Sequence, residues 1–464
     1  MRIDFSEVPL KNKAFSERPM LFIDETPKTF LSMIIDLIAI ETGNREAREN
    51  WQTTQLRNLL KHAYERSTFW RERIGTKKIS NITLSDLPIL SRSEVVEQVR
   101  KEGSLLRQSD GLQVSSSRTS GSTGVPVQFF VSWMNAHYHR VRSHAQYFIE
   151  GRDLSKNLTD VRPYIMSKSS NNHRLNIDGL HITTGNTWLG PLGQLFKGGQ
   201  SKKILYLKPN LDALFYEMSR DEIGYLLIPS PFLEASLINQ DVGFLKKHNI
   251  EILLPRSAAL STEFRDKLHS NSIKIRDNYS AEEVGFIAFE CEHVPGFYHI
   301  AHSNVIVETI KHGSPPIDGK QLDRVLITHL HSYATPFIRY DIGDLANLFD
   351  ECKCGHKGPS ISNIYGRSKN FIKHSDGRLT SFVVPVAELL PIVAFDEHRI
   401  TQKTINTLLV ELSGCGNVSE TQREKLAHLL RKRAGQEFQV ELRIVDEINW
   451  GQSSKKLAFI SEVL

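Results

Sequence analysis

Arg118-Thr119-Ser120-Gly121-Ser122-Thr123-Gly124-Val125-Pro126 sets hydroxyl side chains among two glycines and closes on a proline. Gly121 and Gly124 let a backbone turn tightly and come close to an anion. The hydroxyls and amides of Thr119, Ser120, Ser122 and Thr123 can then hold phosphate oxygens. No Gly-Lys-Ser/Thr opens a helix here, so this is not a Walker-type loop. Leu112-Gln113-Val114 before it and Val127-Gln128-Phe129-Phe130-Val131 after it predict a loop between two strands. A flexible Ser/Gly connector has the same composition, and the stretch by itself does not separate the two readings.

Thiols and imidazoles form a second set. Cys352-Lys353-Cys354-Gly355-His356 follows Cys291, His293 and His299, and three thiols with one imidazole would complete a tetrahedral structural zinc site. The Cys-x-Cys spacing is tighter than the common Cys-x-x-Cys, and four cysteines that stay reduced, buried or idle are the competing reading. Four cysteines in 464 residues do not make a disulfide scaffold.

Such residues need elements to position them. Residues 45–110 are helical in character, with Leu56, Leu59, Leu60 and Ala63 at helical spacing. From 112 to 345, short apolar runs (Ile204–Leu207, Tyr225–Pro229, Ile250–Pro255, Val325–His329) alternate with helix-like stretches such as Leu205–Ser219 and Thr262–Asn271. That pattern predicts an α/β arrangement with a central sheet. Beyond 369 the character changes to a hairpin-like start at Phe371–Gly377 and a polar amphipathic helix over Ser419–Gly435, so a domain boundary falls at Arg367–Lys369.

Composition excludes little. The apolar run Phe30–Ile40 is interrupted by Asp36, follows Asp24 and Glu25, and is too short to span a membrane. It also lacks a signal peptide's basic flank, so a buried helix, a cytoplasmic protein and no membrane partner are expected. The excess of 58 basic over 53 acidic residues is +5, too small to imply a nucleic-acid partner but suited to handling polyanions.

The loop Thr119–Pro126 resembles the ATP-gripping loop of the adenylate-forming superfamily, which includes acyl-CoA synthetases, peptide-synthetase adenylation domains and luciferases. Further stretches follow in that superfamily's order. Asn278-Tyr279-Ser280-Ala281-Glu282-Glu283-Val284-Gly285 is similar to its Tyr-Gly-x-x-Glu motif, and Arg339-Tyr340-Asp341-Ile342-Gly343-Asp344 to its Tyr-x-x-Gly-Asp. Tyr365-Gly366-Arg367-Ser368-Lys369-Asn370-Phe371-Ile372-Lys373 resembles its hinge motif, and Ser453-Ser454-Lys455 its Ser-Gly-Lys. Residues Leu56–Trp70, the segment Leu87-Pro88-Ile89-Leu90-Ser91-Arg92 and the paired Cys352 and Cys354 are similar to the phenylacetate–CoA ligase-like branch. The first 50 residues match nothing in it.

The resemblance implies a large N-terminal domain of sheets flanked by helices, with a helical portion over 1–110 and an ATP- and acid-binding α/β core over 111–367. A small mobile α+β lid over 368–464 would complete the molecule. Thr119, Ser120, Gly121, Ser122, Thr123 and Gly124 would hold the β- and γ-phosphates. Glu283 would bind Mg2+, preferred over Glu282 by the spacings Tyr-x-x-x-Glu and Glu-x-Gly. Tyr279 would lay its ring on adenine, with Ser280 where the family has glycine, a change that stiffens the turn. Ser257 and Ala258 stand where Gly-Glu-Pro is usual, on the other wall of the adenine pocket. Asp344 would accept the two ribose hydroxyls, and Arg367 would add a guanidinium near ribose or phosphate. Lys455, with Lys456 beside it, would reach both the substrate carboxylate and the α-phosphate. Lys369 would be the hinge on which the lid turns between half-reactions. His299, in a Gly-x-x-His turn, would supply the imidazole of the zinc site.

The implied activity is ATP- and Mg2+-dependent activation of a small aryl or acyl acid, with pyrophosphate released and the acyl group passed to the thiol of CoA. An amine or a carrier-protein thiol is the alternative acceptor, and a non-catalytic binding module the third reading. Tyr138, Trp188, Phe232 and the turn Ile228-Pro229-Ser230-Pro231 are candidates for the acid pocket, though each could equally be core. A homodimer is left open.

Overall fold

The computed structural model describes residues 25–102, 114–118, 127–164, 178–206, 211–237, 242–256, 260–313, 315–366, 371–384, 386–450 and 458–463. The chain divides into two compact units, each made of two stretches: Met1–Gly43 with Tyr138–Asn278, and Asn44–His137 with Tyr279–Leu464.

Among the described residues, helices come first: α1 (Glu25–Thr42), α2 (Arg45–Arg66), α3 (Thr68–Ile74) and α4 (Arg92–Glu102). Phe30, Ile34 and Leu37 of α1 are buried, so the apolar run there is the buried helix expected. Among the described residues no helix is long and apolar enough to cross a membrane. Asn44 caps α2 by accepting from the Ala47 amide, and Leu56, Leu59, Leu60 and Ala63 bury along its apolar stripe. Strands β1 (Val114–Arg118) and β2 (Gln128–Ser132) pair antiparallel with Arg118 opposite Gln128. They flank residues 119–126, which lie outside the described residues. Helix α5 (Trp133–Ile149) then carries the chain from the second unit into the first.

The first unit is built on six strands: β3 (Leu158–Pro163), β4 (Leu180–Gly185), β5 (Ser201–Tyr206), β6 (Tyr225–Pro229), β7 (Ile252–Arg256) and β8 (Lys274–Ile275). Helices α6 (Leu211–Ser219), α7 (Ser230–Leu237), α8 (Gly243–Lys247) and α9 (Thr262–Ser270) lie between them in the chain. The spatial order is β4-β5-β3-β6-β7-β8, antiparallel at β4 and parallel elsewhere. Continuous apolar runs in β6 and β7 suit strands covered on both faces. Leu226, Ile228 and Leu253 enter one core, while Tyr225, Ile252 and Leu254 enter another. The helix expected over Leu205–Ser219 is shorter. Leu205 and Tyr206 belong to β5, opposite Arg162 and Pro163, because neighbours on both sides satisfy their backbone groups in the sheet.

The largest sheet of the second unit has seven strands: β9 (Asn278–Ala281), β10 (Gly285–Glu290), β11 (Phe297–Ile300), β12 (Val305–Lys311), β13 (Asp323–His329), β14 (Tyr340–Phe349) and β15 (Ser360–Tyr365). Their order is β12-β13-β14-β15-β11-β10-β9. One apolar core joins Leu59, Leu60 and Trp70 of α2 and α3 to Ile287, Ile327 and Tyr340 of this sheet.

The end of the chain adds the hairpin β16 (Phe371–Lys373) and β17 (Leu379–Ser381), then α10 (Val386–Leu389), β18 (Glu397–Thr404), β19 (Thr407–Ser413), α11 (Glu420–Ala434), β20 (Gln439–Ile444) and β21 (Phe459–Ser461). Four of these strands form a sheet ordered β20-β19-β18-β21, with a core of its own that includes Val410, Leu426, Leu430 and Phe438. Ser419 and Gln422 close a capping box on α11, and Gly435 ends it, so the amphipathic helix spans what its sequence predicts.

Candidate active site

In the second unit, the segment Tyr340–Asp344 opens β14 with a break in register. Leu326 of β13 faces Asp341 while Arg324 faces Leu345, so three residues of β14 stand opposite Val325. Gly343 takes a φ of 86°, and its amide donates to Asp341 Oδ1 at 3.0 Å. Such a bulge re-aims a side chain. Here it brings Asp344 to β9, where the Tyr279 hydroxyl donates to Asp344 Oδ2 at 2.7 Å. The two residues meet although β15, β11 and β10 separate their strands in the sheet order. Ser280 lies inside β9, where extended backbone accepts serine as well as glycine.

Glu283 sits in the turn between β9 and β10. Val284 anchors that turn in the core, Gly285 completes it at a φ of 70°, and Asn304 braces it. The Asn304 Nδ2 donates to the carbonyls of Val284 and Phe286, at 2.9 and 2.6 Å. Glu283 is 5% exposed, whereas Glu282 is exposed. A carboxylate so enclosed needs compensation. Arg92 supplies it with Nη1 3.4 Å from Oε1, and the Tyr340 hydroxyl donates to the same oxygen at 3.3 Å.

Arg92 arrives on a strap pinned to β14. The Leu90 amide donates to the Arg339 carbonyl at 3.0 Å, and the Asp341 amide to the Leu90 carbonyl at 2.9 Å. Arg339 adopts a φ of 49°, rare for a residue with a Cβ. Its side chain is held by Glu308 Oε2 at 3.2 Å and the Leu87 carbonyl at 2.6 Å. Glu283 offers a hard carboxylate oxygen, and the guanidinium against it compensates its charge.

Strand pairing assembles the sulfur cluster elsewhere in the same unit. His299 of β11 lies opposite Phe289 of β10 on one side and Ser360 of β15 on the other. Cys291 follows β10, and Cys352 and Cys354 fall between β14 and β15. The ligand atoms of Cys291, His299, Cys352 and Cys354 all lie within 4.8 Å of one another. Cys354 Sγ is 3.3 Å from His299 Nε2, and the His356 amide donates to the same sulfur at 3.4 Å. Burial pushes the Cys352 thiol up to about 12 and raises Cys291. Burial, helped by His356 and His293, takes His299 down to about 4, which keeps the imidazole in its neutral, ligating form. Three sulfurs and one nitrogen at this reach fit a closed zinc site.

Tyr279 and Asp344 are thus brought together, Glu283 is given a cationic partner, and the four cluster residues converge. Thr119, Ser120, Gly121, Ser122, Thr123, Gly124, Ser257, Ala258, Arg367, Lys369 and Lys455 lie outside the described residues. Of the acid-pocket candidates, Trp188 donates to the Lys156 carbonyl at 2.7 Å and packs edge-on against Tyr147 and Tyr225. Phe232 stacks on Tyr206 in the first unit. Arg92, Asn304 and Tyr340 were missed as site residues. Tyr340 and Arg92 each lay within a resembling segment, but Arg92 stands 191 residues from Glu283 and no local signal links those two.

No protein-family model and no curated protein sequence matches this chain. Solved structures do. A 2-hydroxyisobutyryl-CoA ligase in the postadenylation state with 2-HIB-AMP is 15% identical, covers 91% of each chain and superposes with a TM-score of 0.59. The same ligase with R3-HIB-AMP gives 0.58 at the same identity and coverage. An acyl acid amido synthetase gives 0.50 at 12% identity, over 89% of this chain and 88% of its own. This chain therefore has the fold of the adenylate-forming acid ligases.

Proposed function

We propose that this protein activates a small carboxylic acid with ATP, through an acyl- or aryl-adenylate, and passes the acyl group to the thiol of CoA. The observation that carries the reading is the Tyr279–Asp344 contact in the same unit as the enclosed Glu283, on a fold shared with ligases. The acid's carboxylate oxygen attacks the α-phosphorus, the bond to the bridging oxygen breaks, and pyrophosphate leaves with the electron pair. In the second half-reaction the thiolate sulfur attacks the acyl carbon and AMP departs with the electrons of the broken C–O bond. Such chemistry needs alignment and charge stabilisation more than covalent help.

The roles follow from that requirement. Asp344 accepts the ribose hydroxyls, and its bond to Tyr279 fixes both the carboxylate and the ring under adenine. Glu283 is the residue to hold Mg2+, which when bound supplies neutralisation of phosphate charge. Thr119, Ser120, Gly121, Ser122, Thr123 and Gly124 grip the β- and γ-phosphates, with Ser257 and Ala258 beside the base. Arg367 and Lys455 steady charge at ribose and α-phosphate, and Lys369 pivots a lid of residues 368–464 over a core of 111–367. The Cys291, His299, Cys352 and Cys354 site is a structural zinc that ties β10 and β11 to the segment before β15. The phenylacetate–CoA ligase-like branch and a cytoplasmic setting, where ATP and CoA are found, belong to the same reading.

Acid-dependent ATP–pyrophosphate exchange over aryl, acyl and amino acids tests it, with Lys455→Ala as control. Exchange with one acid, lost in the variant, supports adenylation; exchange with no acid overturns it. Likeness to an acyl acid amido synthetase favours an amine as second acceptor. Product analysis with CoA, amines or a carrier protein added in turn identifies the acceptor.

A further inference from the structure

The first unit carries a charged cluster that none of these roles uses. Its parallel strands stand in the order β5-β3-β6-β7-β8, so the chain leaves β3 for β5 on one side and later enters β6 on the other. In open sheets of this order, ligands are taken in the crevice outside the carboxyl ends of the two strands at the reversal. Those strands are β3 and β6.

Three charged side chains gather there. Asp160 of β3 lies opposite Leu227 of β6, and Arg256 ends β7 opposite Pro229 of β6. Arg256 reaches across β6 to place Nη1 3.2 Å from Asp160 Oδ1. Arg162, two residues after Asp160 and on the same face of β3, grips that carboxylate with Nε 3.0 and 2.8 Å from its oxygens. Val161 between them points the other way, into the core of the unit. Tyr147 of α5 is near enough to be influenced by both Asp160 and Arg256.

The charges do not balance. One carboxylate serves two guanidiniums, and among the described residues no other acid pairs with either arginine. Arg256 is 26% exposed, and burial pulls it below its ordinary value despite Asp160. A half-buried guanidinium with a shared counter-ion gains from a further anion, and its planar fork matches an oxyanion in two-point contact.

We propose that Arg256 and Arg162 read an oxyanion at this reversal point, with Asp160 as the internal counter-ion that it displaces, and that the ligand is a small carboxylate or a phosphate. Its three residues all belong to the first unit, and direct titration with an anion reads this site separately from adenylation. Isothermal titration of the intact protein with glutarate, and separately with inorganic phosphate, tests it. Saturable binding is expected, at least ~10-fold weaker in Arg256→Met and partly recovered in Arg256→Lys. Tighter glutarate binding assigns the subsite to a carboxylate, and tighter phosphate binding to a phosphate. Asp160→Asn keeps both arginines while removing their competitor, so it should bind the probe several-fold more tightly than the parent. A purely structural triad would give no such gain. Saturation by neither anion, unchanged affinity in Arg256→Met, or weaker binding in a folded Asp160→Asn would overturn the proposal.

Discussion

In the first unit, Asp160, Arg162 and Arg256 come from the same region of a parallel sheet, on β3 and on β7 two strands away, and they leave a net positive charge. In the second unit, charged groups are closed off by partners from distant chain. Arg92 meets Glu283 across 191 residues, and Tyr279 meets Asp344 across 65. The parallel sheet places side chains through regular register, so its charges gather at one end. The antiparallel sheet uses a bulge at Gly343 and a strap at Leu90 to override register. Regular pairing sets out a surface, whereas departures from it can aim single groups.

The largest effect that would break this contrast is Asp344→Ala. If the bulge exists to aim that carboxylate, pyrophosphate exchange should fall roughly 100-fold or more, the scale of losing one aimed polar contact in a catalytic site. Exchange within twofold of the parent would reduce the bulge to a structural irregularity.

Next is the sulfur cluster, which ties irregular chain in the second unit and has no counterpart among the described residues of the first. Elemental analysis should find one zinc per chain, and Cys354→Ser should lose it. The melting temperature should drop by ~10 °C, as expected for several kcal/mol of lost stability in a unit of this size. A zinc-free protein that melts unchanged would remove the cluster from the account.

Tyr279→Phe sharpens the comparison more gently. It deletes one hydrogen bond to a carboxylate and keeps the ring, so the ATP concentration for half-maximal exchange should rise about 5- to 10-fold. An equal loss in the maximal rate instead would place Tyr279 in the transition state rather than in nucleotide binding.

The smallest effect concerns pH. Burial takes His331 in the second unit, and His398 in the C-terminal sheet, down to about 4. Below their unfolded value of about 6.5 the unfolded chain binds more protons than the folded one. Stability should therefore be complete above that value and fall as pH drops toward 4. Denaturant midpoints at pH 7.5 and 5 measure it, and His398→Phe should flatten the slope; a rise in stability on acidification would contradict the burial of both rings.

Much of the scaffold was legible. The stripe in α2, the core strand β6 and the capping box of α11 rest on local period and local hydrogen bonds, which survive in any context. The segment Leu205–Ser219 was misjudged at its start because pairing on both sides of β5 outweighs helical pattern. Ser280 was expected to stiffen a turn, yet it stands in a strand. Thiol and imidazole types could be picked out along the chain, but their convergence depended on β11 lying between β10 and β15.

What the sequence determined by itself was the inventory: which carboxylates, thiols and hydroxyls exist, and which local elements carry them. Local periodicity and short-range hydrogen bonds write those elements directly into the order of residues. The tertiary structure decided which charges meet. Arg92 against Glu283, Arg256 across β6 to Asp160, and Tyr279 on Asp344 depend on strand order, a bulge and a strap. Those contacts join residues far apart in the chain, and their geometry follows from how whole sheets close rather than from any neighbouring residue.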